Sequence, residues 1–295
     1  MKNVKLHSAF SLIELSIVIL IIGILVAGVT QSSRLIAQFR LSAARAQTKS
    51  SPVNSIKDLA IWLETTSEES FDDAETQDGT RITNWYDLNI QISQKANAYS
   101  ASAGPRYKAN CMNGLPCLQF NGSSEFLGIA QTLGGVSDAS VFLVINNLVL
   151  PTGLNEQSPI SAYHTSGAGA SPLRVYTYAG GTGGLGFTHG SVGGGYGSAI
   201  TVNNNTIVNA IERSGTEIIA FSVLNGVFDI RSSSSSYTSK TLDSGIYIGA
   251  HYNGTAGSQF FNGYIAEVIV FSRGLKASEV LEINNYLSEK WAIRI

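Results

Sequence analysis

The longest uninterrupted apolar stretch of the chain lies near its N-terminus. Leu12 to Val29 read LIELSIVILIIGILVAGV, about the length that crosses the hydrocarbon core of a bilayer as a helix. Lys2 and Lys5 precede this stretch without any acidic residue, which favours a cytoplasmic N-terminus and export of the remainder. The pattern therefore predicts one membrane span at residues 12–29, with the rest of the chain outside the cytoplasm.

After the span the pattern becomes amphipathic. Apolar residues recur at helical spacing with arginines between them, as at Leu35, Phe39 and Ala43. A continuous stalk helix over residues 10–50 would be about 60 Å long. Pro52 then disfavours helical geometry in the residue before it, so residues 51–58 are predicted to form a linker.

The remainder, residues 59–295, is dominated by short β-type runs separated by polar turns. Several runs are apolar on both faces, which is typical of strands buried between layered sheets, and their number predicts an all-β sandwich. Residues Val280, Ile283, Leu287 and Trp291 share one helical face and predict a single helix near the C-terminus. The predicted strands are 59–63, 117–120, 140–150, 174–178, 206–211, 218–223, 245–250 and 264–271.

Composition narrows the class of protein. The formal net charge of −2 and the pI of about 6.1 give no electrostatic reason for nucleic-acid binding, so no nucleic-acid partner is expected. Charged residues make up only 14% of the chain while glycine occurs 30 times. This balance is typical of a secreted β domain with many turns and argues against a helical cytoplasmic enzyme.

Glu14 is a carboxylate inside the apolar stretch, where an ionisable group costs about 2.5 to 3.5 kcal/mol or more. Cleavage between Ala9 and Phe10 would create an α-amino group on Phe10. That cation could pair with Glu14 of a neighbouring subunit, and such a buried ion pair would set the register between helices.

The segment from Ala9 to Leu15, AFSLIEL, resembles the class III signal of type IV prepilins and pseudopilins. The resemblance implies that a prepilin peptidase removes the leader 1–9, that Phe10 is N-methylated, and that Glu14 helps the helix pack with other pilins in a filament. Ala9 stands where the family usually has glycine, which we expect to slow cleavage rather than abolish it. The alternative is an uncleaved signal anchor whose Glu14 is protonated or reaches the interface.

The body from residue 59 onward resembles the concanavalin A-like or laminin G-like lectin and glucanase family. The resemblance implies a jelly-roll sandwich carried on the transmembrane pilin stalk. Because this sandwich is used by lectins, protein-binding modules, spacers and glycanases, it does not by itself indicate a function. The matching segments are Ile61–Leu63, Gly104–Tyr107, Leu118–Gly122, Phe126–Leu127 and Phe261–Phe271.

Candidate chemistry is sparse in the sequence. Glycanases of this fold need paired carboxylates on one strand, and no such spacing is found. The acidic run 68–75 is predicted to be a solvated loop, with a calcium site as the lesser alternative, so the metal content is left open and no other cofactor is expected. The histidines His164, His189 and His251 are scattered and are predicted to be loop residues.

Two further groups of residues are candidates for a ligand site and a covalent link. Tyr163, Tyr176, Tyr178 and Tyr196 could stack on a sugar from loops, or else Tyr176 and Tyr178 could pack against the protein. Cys111 and Cys117 are close enough in sequence for a local disulfide in an oxidising compartment, and two reduced thiols are the alternative.

Together these features predict a non-enzymatic, pilin-like membrane protein, a minor pilin that presents a lectin-like binding head. Its expected partners are the prepilin peptidase, other pilins, the inner membrane before assembly, and a carbohydrate or protein ligand. Its expected locations are the bacterial membrane and then a pilus, the cell surface or a periplasmic pseudopilus. A structural pseudopilin of a secretion system is the alternative. A surface glycan hydrolase is the third possibility, and it predicts two carboxylates that face each other on the concave sheet.

Overall fold

A computed structural model gives the fold of the chain, and contact clustering divides it into two units, residues 1–43 and 44–295. We call the second unit the β body. The structure describes residues 11–93, 97–100, 104–130, 133, 136, 138–151, 156–162, 173–178, 184–189, 192–194, 204–213, 217–224, 227–233, 245–252 and 257–295.

Helix α1, Leu12–Lys49, contains the apolar stretch and is long and apolar enough to cross a membrane. Its apolar side chains are exposed, as expected of a segment whose partner is lipid or another helix. At its start the Glu14 carboxylate accepts a hydrogen bond from the backbone N–H of Ser11 at 3.0 Å, which satisfies one free donor of the first turn. Ala9 and Phe10 lie outside the described residues, so cleavage and methylation there stay predictions.

Strands make up most of the β body, with a short 3-10 turn at Val53–Ser55 before the first of them. In chain order they are β1 Leu59–Glu64, β2 Asn84–Trp85, β3 Ala98–Tyr99, β4 Arg106–Met112, β5 Leu115–Asn121, β6 Leu127–Ile129, β7 Ser140–Asn147, β8 Glu156–Ala162, β9 Leu173–Tyr178, β10 Gly184–His189, β11 Val192–Gly194, β12 Asn205–Arg213, β13 Glu217–Leu224, β14 Val227–Ser233, β15 Ile246–Ile248, β16 His251–Tyr252, β17 Gly257–Ser258 and β18 Asn262–Phe271.

The strands form two large antiparallel sheets and one small hairpin. The first sheet has the order β14-β13-β12-β7-β18-β5-β4, with β1 also paired to β18. The second sheet has the order β11-β10-β9-β8-β15-β6-β3-β2, and β16 pairs with β17. A long apolar N-terminal helix followed by a mostly antiparallel β body confirms the coarse fold prediction.

The hydrophobic core draws its residues from both sheets. Val141, Leu143 and Ile145 alternate along β7, and they belong to one cluster with Ile160 and Val175 of the second sheet. Burying each such side chain contributes about 1.5 to 3 kcal/mol. Because successive side chains of a strand point to opposite faces, the residues between these core residues lie on the face of the sheet that is turned away from the core.

Helix α2, Ala277–Trp291, packs on the side of the first sheet that faces away from this core. Its buried side chains include Val280, Ile283, Leu287 and Trp291, the face that the sequence pattern indicates. The side chain of Asn209 on β12 donates a hydrogen bond of 2.7 Å to Asn284 of the helix. The outward face of the first sheet is thereby partly covered by α2.

Candidate functional site

Four aromatic side chains lie together on the outward face of the second sheet. Tyr99, Phe126, Tyr247 and Phe260 each neighbour a residue that points into the core, so strand alternation turns these four outward. The ring centroid of Phe126 lies 6.3 Å from that of Tyr247 and 6.3 Å from that of Phe260. All four are at least partly exposed, and Tyr99 retains 45% of its accessible surface. We call this group the aromatic face.

Gly128 shapes the middle of the aromatic face. It pairs with Tyr247 on one side and with Tyr99 on the other. A Cβ atom at Gly128 would lie 3.4 Å from the ring of Tyr247, so that ring lies within contact distance of the Gly128 position. The absence of a side chain at Gly128 therefore leaves room for the Tyr247 ring on this face.

A charged cluster adjoins the aromatic face. The guanidinium of Arg174 on β9 pairs with the Glu156 carboxylate at 2.6 Å and donates to the Ser158 hydroxyl at 2.7 Å. Gln259 also donates to Glu156, at 3.1 Å. Ser158 forms a β-bridge with Phe260, which brings the cluster next to the aromatic rings. We call Glu156, Ser158, Arg174, His251 and Gln259 the arginine cluster.

His251 in this cluster is held in its neutral form. Burial lowers its pKa to about 4, the positive charge of Arg174 acts in the same direction, and the nearby carboxylate of Glu156 opposes both. The imidazole is therefore neutral above about pH 5, when it can both donate and accept a hydrogen bond.

Lowering the pH should reduce the stability of the folded protein, because His251 is protonated less readily in the folded state than in the unfolded state. In the unfolded chain the histidine takes up a proton near pH 6.5, whereas in the folded protein it does so near pH 4. The unfolded state binds more protons between these values, so stability falls as pH is lowered from about 6.5 to about 4. We expect His251→Gln to flatten this part of the profile in urea unfolding of the full chain in detergent. The surface variant Leu281→Ala should keep the wild-type slope, and an unchanged slope in His251→Gln would contradict the assignment.

The tyrosines singled out from the sequence have different positions. Tyr176 and Tyr178 lie on strand β9, with their rings over glycines of β10; a Cβ atom at Gly186 would lie 2.1 Å from the Tyr176 ring. Tyr176 is only 5% exposed, so its ring serves packing and the stacking of Arg174 above it at 4.5 Å. Tyr163 and Tyr196 lie outside the described residues.

The residues of the aromatic face were missed by sequence reasoning. The sequence pattern that marks an outward-facing ring is an aromatic residue next to an apolar residue that points into the core, as in Phe126–Leu127 and in Ile246–Tyr247–Ile248. That alternation is short, because β6 and β15 each have only three residues. A pattern of this length does not distinguish an outward ring from a core ring.

Cys111 and Cys117 form the disulfide that the sequence suggests, with a Cα–Cα distance of 5.8 Å, and it joins β4 to β5.

The acidic run 68–75 makes contacts at the protein surface. Glu68 pairs with Arg45, and Glu75 accepts hydrogen bonds from Thr83. Within the part of the chain that the structure describes, no three His, Cys, Asp or Glu side chains are grouped to hold a metal ion.

Two carboxylates of the first sheet do face each other, but both are sealed from solvent. Glu64 on β1 pairs in register with Glu267 on β18. The ammonium of Lys290 on α2 lies 2.8 Å from a Glu64 oxygen and 3.0 Å from a Glu267 oxygen. All three side chains are 0% exposed, so a substrate has no access to them. We call these three residues and their hydrogen-bond donors the buried carboxylate network.

The network satisfies its charges internally. Glu267 accepts hydrogen bonds of 2.8 Å from Trp62, Tyr286 and Trp291. Burial raises the pKa of Glu64, but the Lys290 charge and the hydrogen bonds from Lys290 and Thr66 outweigh it, so the net pKa is lowered. The network therefore links β1, β18 and α2, and its role is to stabilise the fold.

Comparison with known proteins shows the fold of the β body. The chain matches no family model and no curated protein sequence. Among solved structures it resembles a Trypanosoma rangeli sialidase in complex with sialic acid, at 14% identity and a TM-score of 0.52 over 79% of this chain and 33% of that chain. It also resembles a GH54 α-L-arabinofuranosidase, at 12% identity and a TM-score of 0.54 over 72% of this chain and 51% of that chain. The chain thus spans a third to a half of these proteins.

These neighbours overturn the predicted function. The sialidase and arabinofuranosidase structures that it resembles are glycosidases, which contradicts both the pilin-like binding subunit, with its pseudopilin alternative, and the predicted absence of enzyme activity. The error has a physical origin. The N-terminal pattern indicates a helix that is long and apolar enough to cross a membrane, while the chemistry of the β body depends on side chains that only the folded sheets bring together.

Proposed function

We propose that the chain is a membrane-tethered glycan-processing protein of the glycoside hydrolase kind, and that its β body engages carbohydrate at the aromatic face. The observation that carries the proposal is the continuity of four outward aromatic rings with the arginine cluster. We also infer that the two sheets belong to the concanavalin A-like jelly-roll type, which the strand order and the glycosidase neighbours support.

The aromatic face suits a sugar because its two parts match the two sides of a sugar ring. Aromatic rings stack on the apolar C–H side, while a few placed polar groups select the hydroxyl groups. The neighbours act on ligands of this class: one was solved with sialic acid and another with an arabinofuranosyl xylobiose. Carbohydrate is therefore the ligand class that we assign to this face.

The arginine cluster supplies fixed polar groups for such a ligand. Arg174 is held by Glu156 and Ser158, so little freedom is left to lose when a ligand binds. The Gln259 side-chain oxygen is buried and has no hydrogen-bond partner among the described residues. A hydroxyl group of a bound sugar would satisfy this acceptor.

Hydrolysis by the common routes needs two carboxyl groups that flank the glycosidic bond, one as general acid and one as nucleophile or base. The buried carboxylate network is closed to substrate, whereas the Glu156 side chain is 28% exposed and borders the aromatic face. The proposal therefore assigns Glu156 as one carboxyl group of that pair. In assays on aryl arabinofuranosides and sialosides, Glu156→Gln should lose any activity that the wild-type chain shows, and Glu282→Gln on α2 should retain it.

Binding by the aromatic face has a direct test. Tyr99→Ala removes an exposed ring, and we expect the affinity for arabinoxylan oligosaccharides or sialyllactose to fall about threefold to tenfold, since a stacked ring contributes about 0.5 to 1.5 kcal/mol. Calorimetry with the full chain in detergent measures this change. Leu281→Ala, an exposed apolar residue on α2, is the matched control. Equal affinities for wild type and Tyr99→Ala, or no binding of either glycan, would reject the proposal.

Proteolytic removal of the N-terminal leader is also expected. The leader resemblance supports removal of residues 1–9 before Phe10, after which α1 would remain as the membrane anchor. Intact-mass measurement of the chain expressed with and without a prepilin peptidase tests this step. A peptidase-dependent loss of the first nine residues supports processing, and an unchanged mass means that α1 is an uncleaved signal anchor.

A further inference from the structure

The outward face of the first sheet carries a small pocket that α2 leaves uncovered. Its walls come from β4, β7, β12 and β18, and its volume is about 150 Å³. Tyr264 pairs in register with Asn146, which in turn pairs with Asn205, so these three side chains lie side by side across three strands. We call this cavity the asparagine pocket; Lys108, Asn110, Cys111 and Met112 complete its lining.

Asn146, which lines the pocket, has a buried acceptor that finds no partner in the part of the chain that the structure describes. The amide nitrogen of Asn146 donates to the Asn205 oxygen at 2.8 Å, which fixes the orientation of the Asn146 side chain. Its oxygen is buried and has no hydrogen-bond partner among the described residues. A buried acceptor in this state loses hydration without compensation, and a donor from a ligand would recover the loss.

The remaining lining restricts the chemistry of the ligand. The Lys108 ammonium is neutralised by Asp78 at 3.1 Å, so the pocket offers no unpaired charge to an anion. Tyr264 adds an aromatic wall, and Asn146 and Asn205 add amide groups. The volume is well below the roughly 300 to 1,000 Å³ of pockets for drug-sized ligands, so a single ring is the size that fits.

The disulfide holds one wall of the pocket in place. Cys111 and Met112 belong to the end of β4, where the register with β5 is irregular between Lys108 and Met112. The bond from Cys111 to Cys117 ties this irregular segment to β5. The wall is therefore already in position before a ligand binds, which reduces the ordering that binding requires.

From this geometry we propose that the asparagine pocket is a second carbohydrate site, separate from the aromatic face, that takes one neutral monosaccharide. A sugar hydroxyl donates to the free Asn146 oxygen, and the apolar side of the sugar ring lies on Tyr264. This site is on the opposite sheet from the proposed processing face, so it would hold a glycan without occupying that face.

Saturation-transfer NMR on the full chain in detergent, with glucose, galactose, mannose and arabinose as probes, tests the proposal. We expect at least one sugar to give a signal that falls at least fivefold in Asn146→Ala and persists in Tyr99→Ala. Tyr264→Phe, which keeps the ring, should retain the signal, and Tyr264→Ala should lose it.

The outcomes separate this site from the aromatic face. A signal that survives Asn146→Ala and Tyr264→Ala when each is combined with Tyr99→Ala, or the absence of any signal from the four sugars in the wild-type chain, overturns the second site. A signal that is lost in Tyr99→Ala but kept in Asn146→Ala places monosaccharide binding at the aromatic face and also overturns it. If Asn146→Ala changes the thermal midpoint, Tyr264→Ala against Tyr264→Phe decides the question, because that pair leaves the Asn146–Asn205 contact in place.

Discussion

Replacing Lys290 with methionine is expected to lower the free energy of unfolding by about 3 to 5 kcal/mol, because it leaves two buried carboxylates without their counter-charge. Methionine has nearly the length of lysine, so the loss would come from charge rather than from an empty space. Urea unfolding of the full chain in detergent at pH 7 measures the change. Lys57→Met is the matched control, since Lys57 is exposed and should stay within about 0.5 kcal/mol of wild type.

Two further measurements test the same explanation: the dependence of stability on pH, and the stability of a variant in which all three buried charges are removed. The folded pKa of Glu64 is lowered, so its stabilising contribution is present above the usual value of 4.5 and is lost as pH falls below it. Lys290→Met should remove that contribution. The triple variant Glu64→Gln, Glu267→Gln, Lys290→Met should regain part of the lost stability, because no buried charge is left unpaired. A Lys290→Met protein as stable as wild type would show that the network contributes nothing.

Gly249→Ala is expected to destabilise the β body by about 2 to 5 kcal/mol. Gly249 has a φ of 87°, and a left-handed conformation costs a non-glycine residue about 1 to 2 kcal/mol. A Cβ atom there would also lie 2.3 Å from the ring of Phe120, which is fully buried, and such overpacking costs about 1 to 3 kcal/mol more. Differential scanning fluorimetry, followed by urea unfolding, measures the change.

Gly79→Ala separates the two contributions. Gly79 has nearly the same φ, 85°, but nothing lies within 4 Å of the position of an added Cβ atom. It should therefore show the backbone cost alone, about 1 to 2 kcal/mol. Equal losses in the two variants would mean that the Phe120 ring moves aside freely, and would remove the packing part of the explanation.

Local spacing in the sequence identifies some contacts of this protein and leaves no sign of others. Tyr176 and Tyr178 were reasonable candidates because they are aromatic and near glycine-rich segments, and the same glycines turn out to be the surfaces on which their rings pack. Glu64 and Lys290 are 226 positions apart, so their contact leaves no trace in local spacing. Packing of Tyr176 and Tyr178 is the alternative that the sequence left open, and the rings do pack on these glycines, whereas the aromatic face was not among the sequence candidates.

The sequence by itself determined the apolar helix at Leu12–Lys49, the antiparallel β body and the terminal helix at Ala277–Trp291. Each follows from a periodicity that operates over a few neighbouring residues, which is information the chain carries locally. Only the tertiary structure decided that Tyr99, Phe126, Tyr247 and Phe260 share one face, and that Asn146, whose oxygen has no partner among the described residues, lines a pocket on the other sheet. Strand β15 lies between β6 and β8 in the second sheet although it is far from both in the chain, so the rings of Phe126 and Tyr247 meet only once these strands have paired.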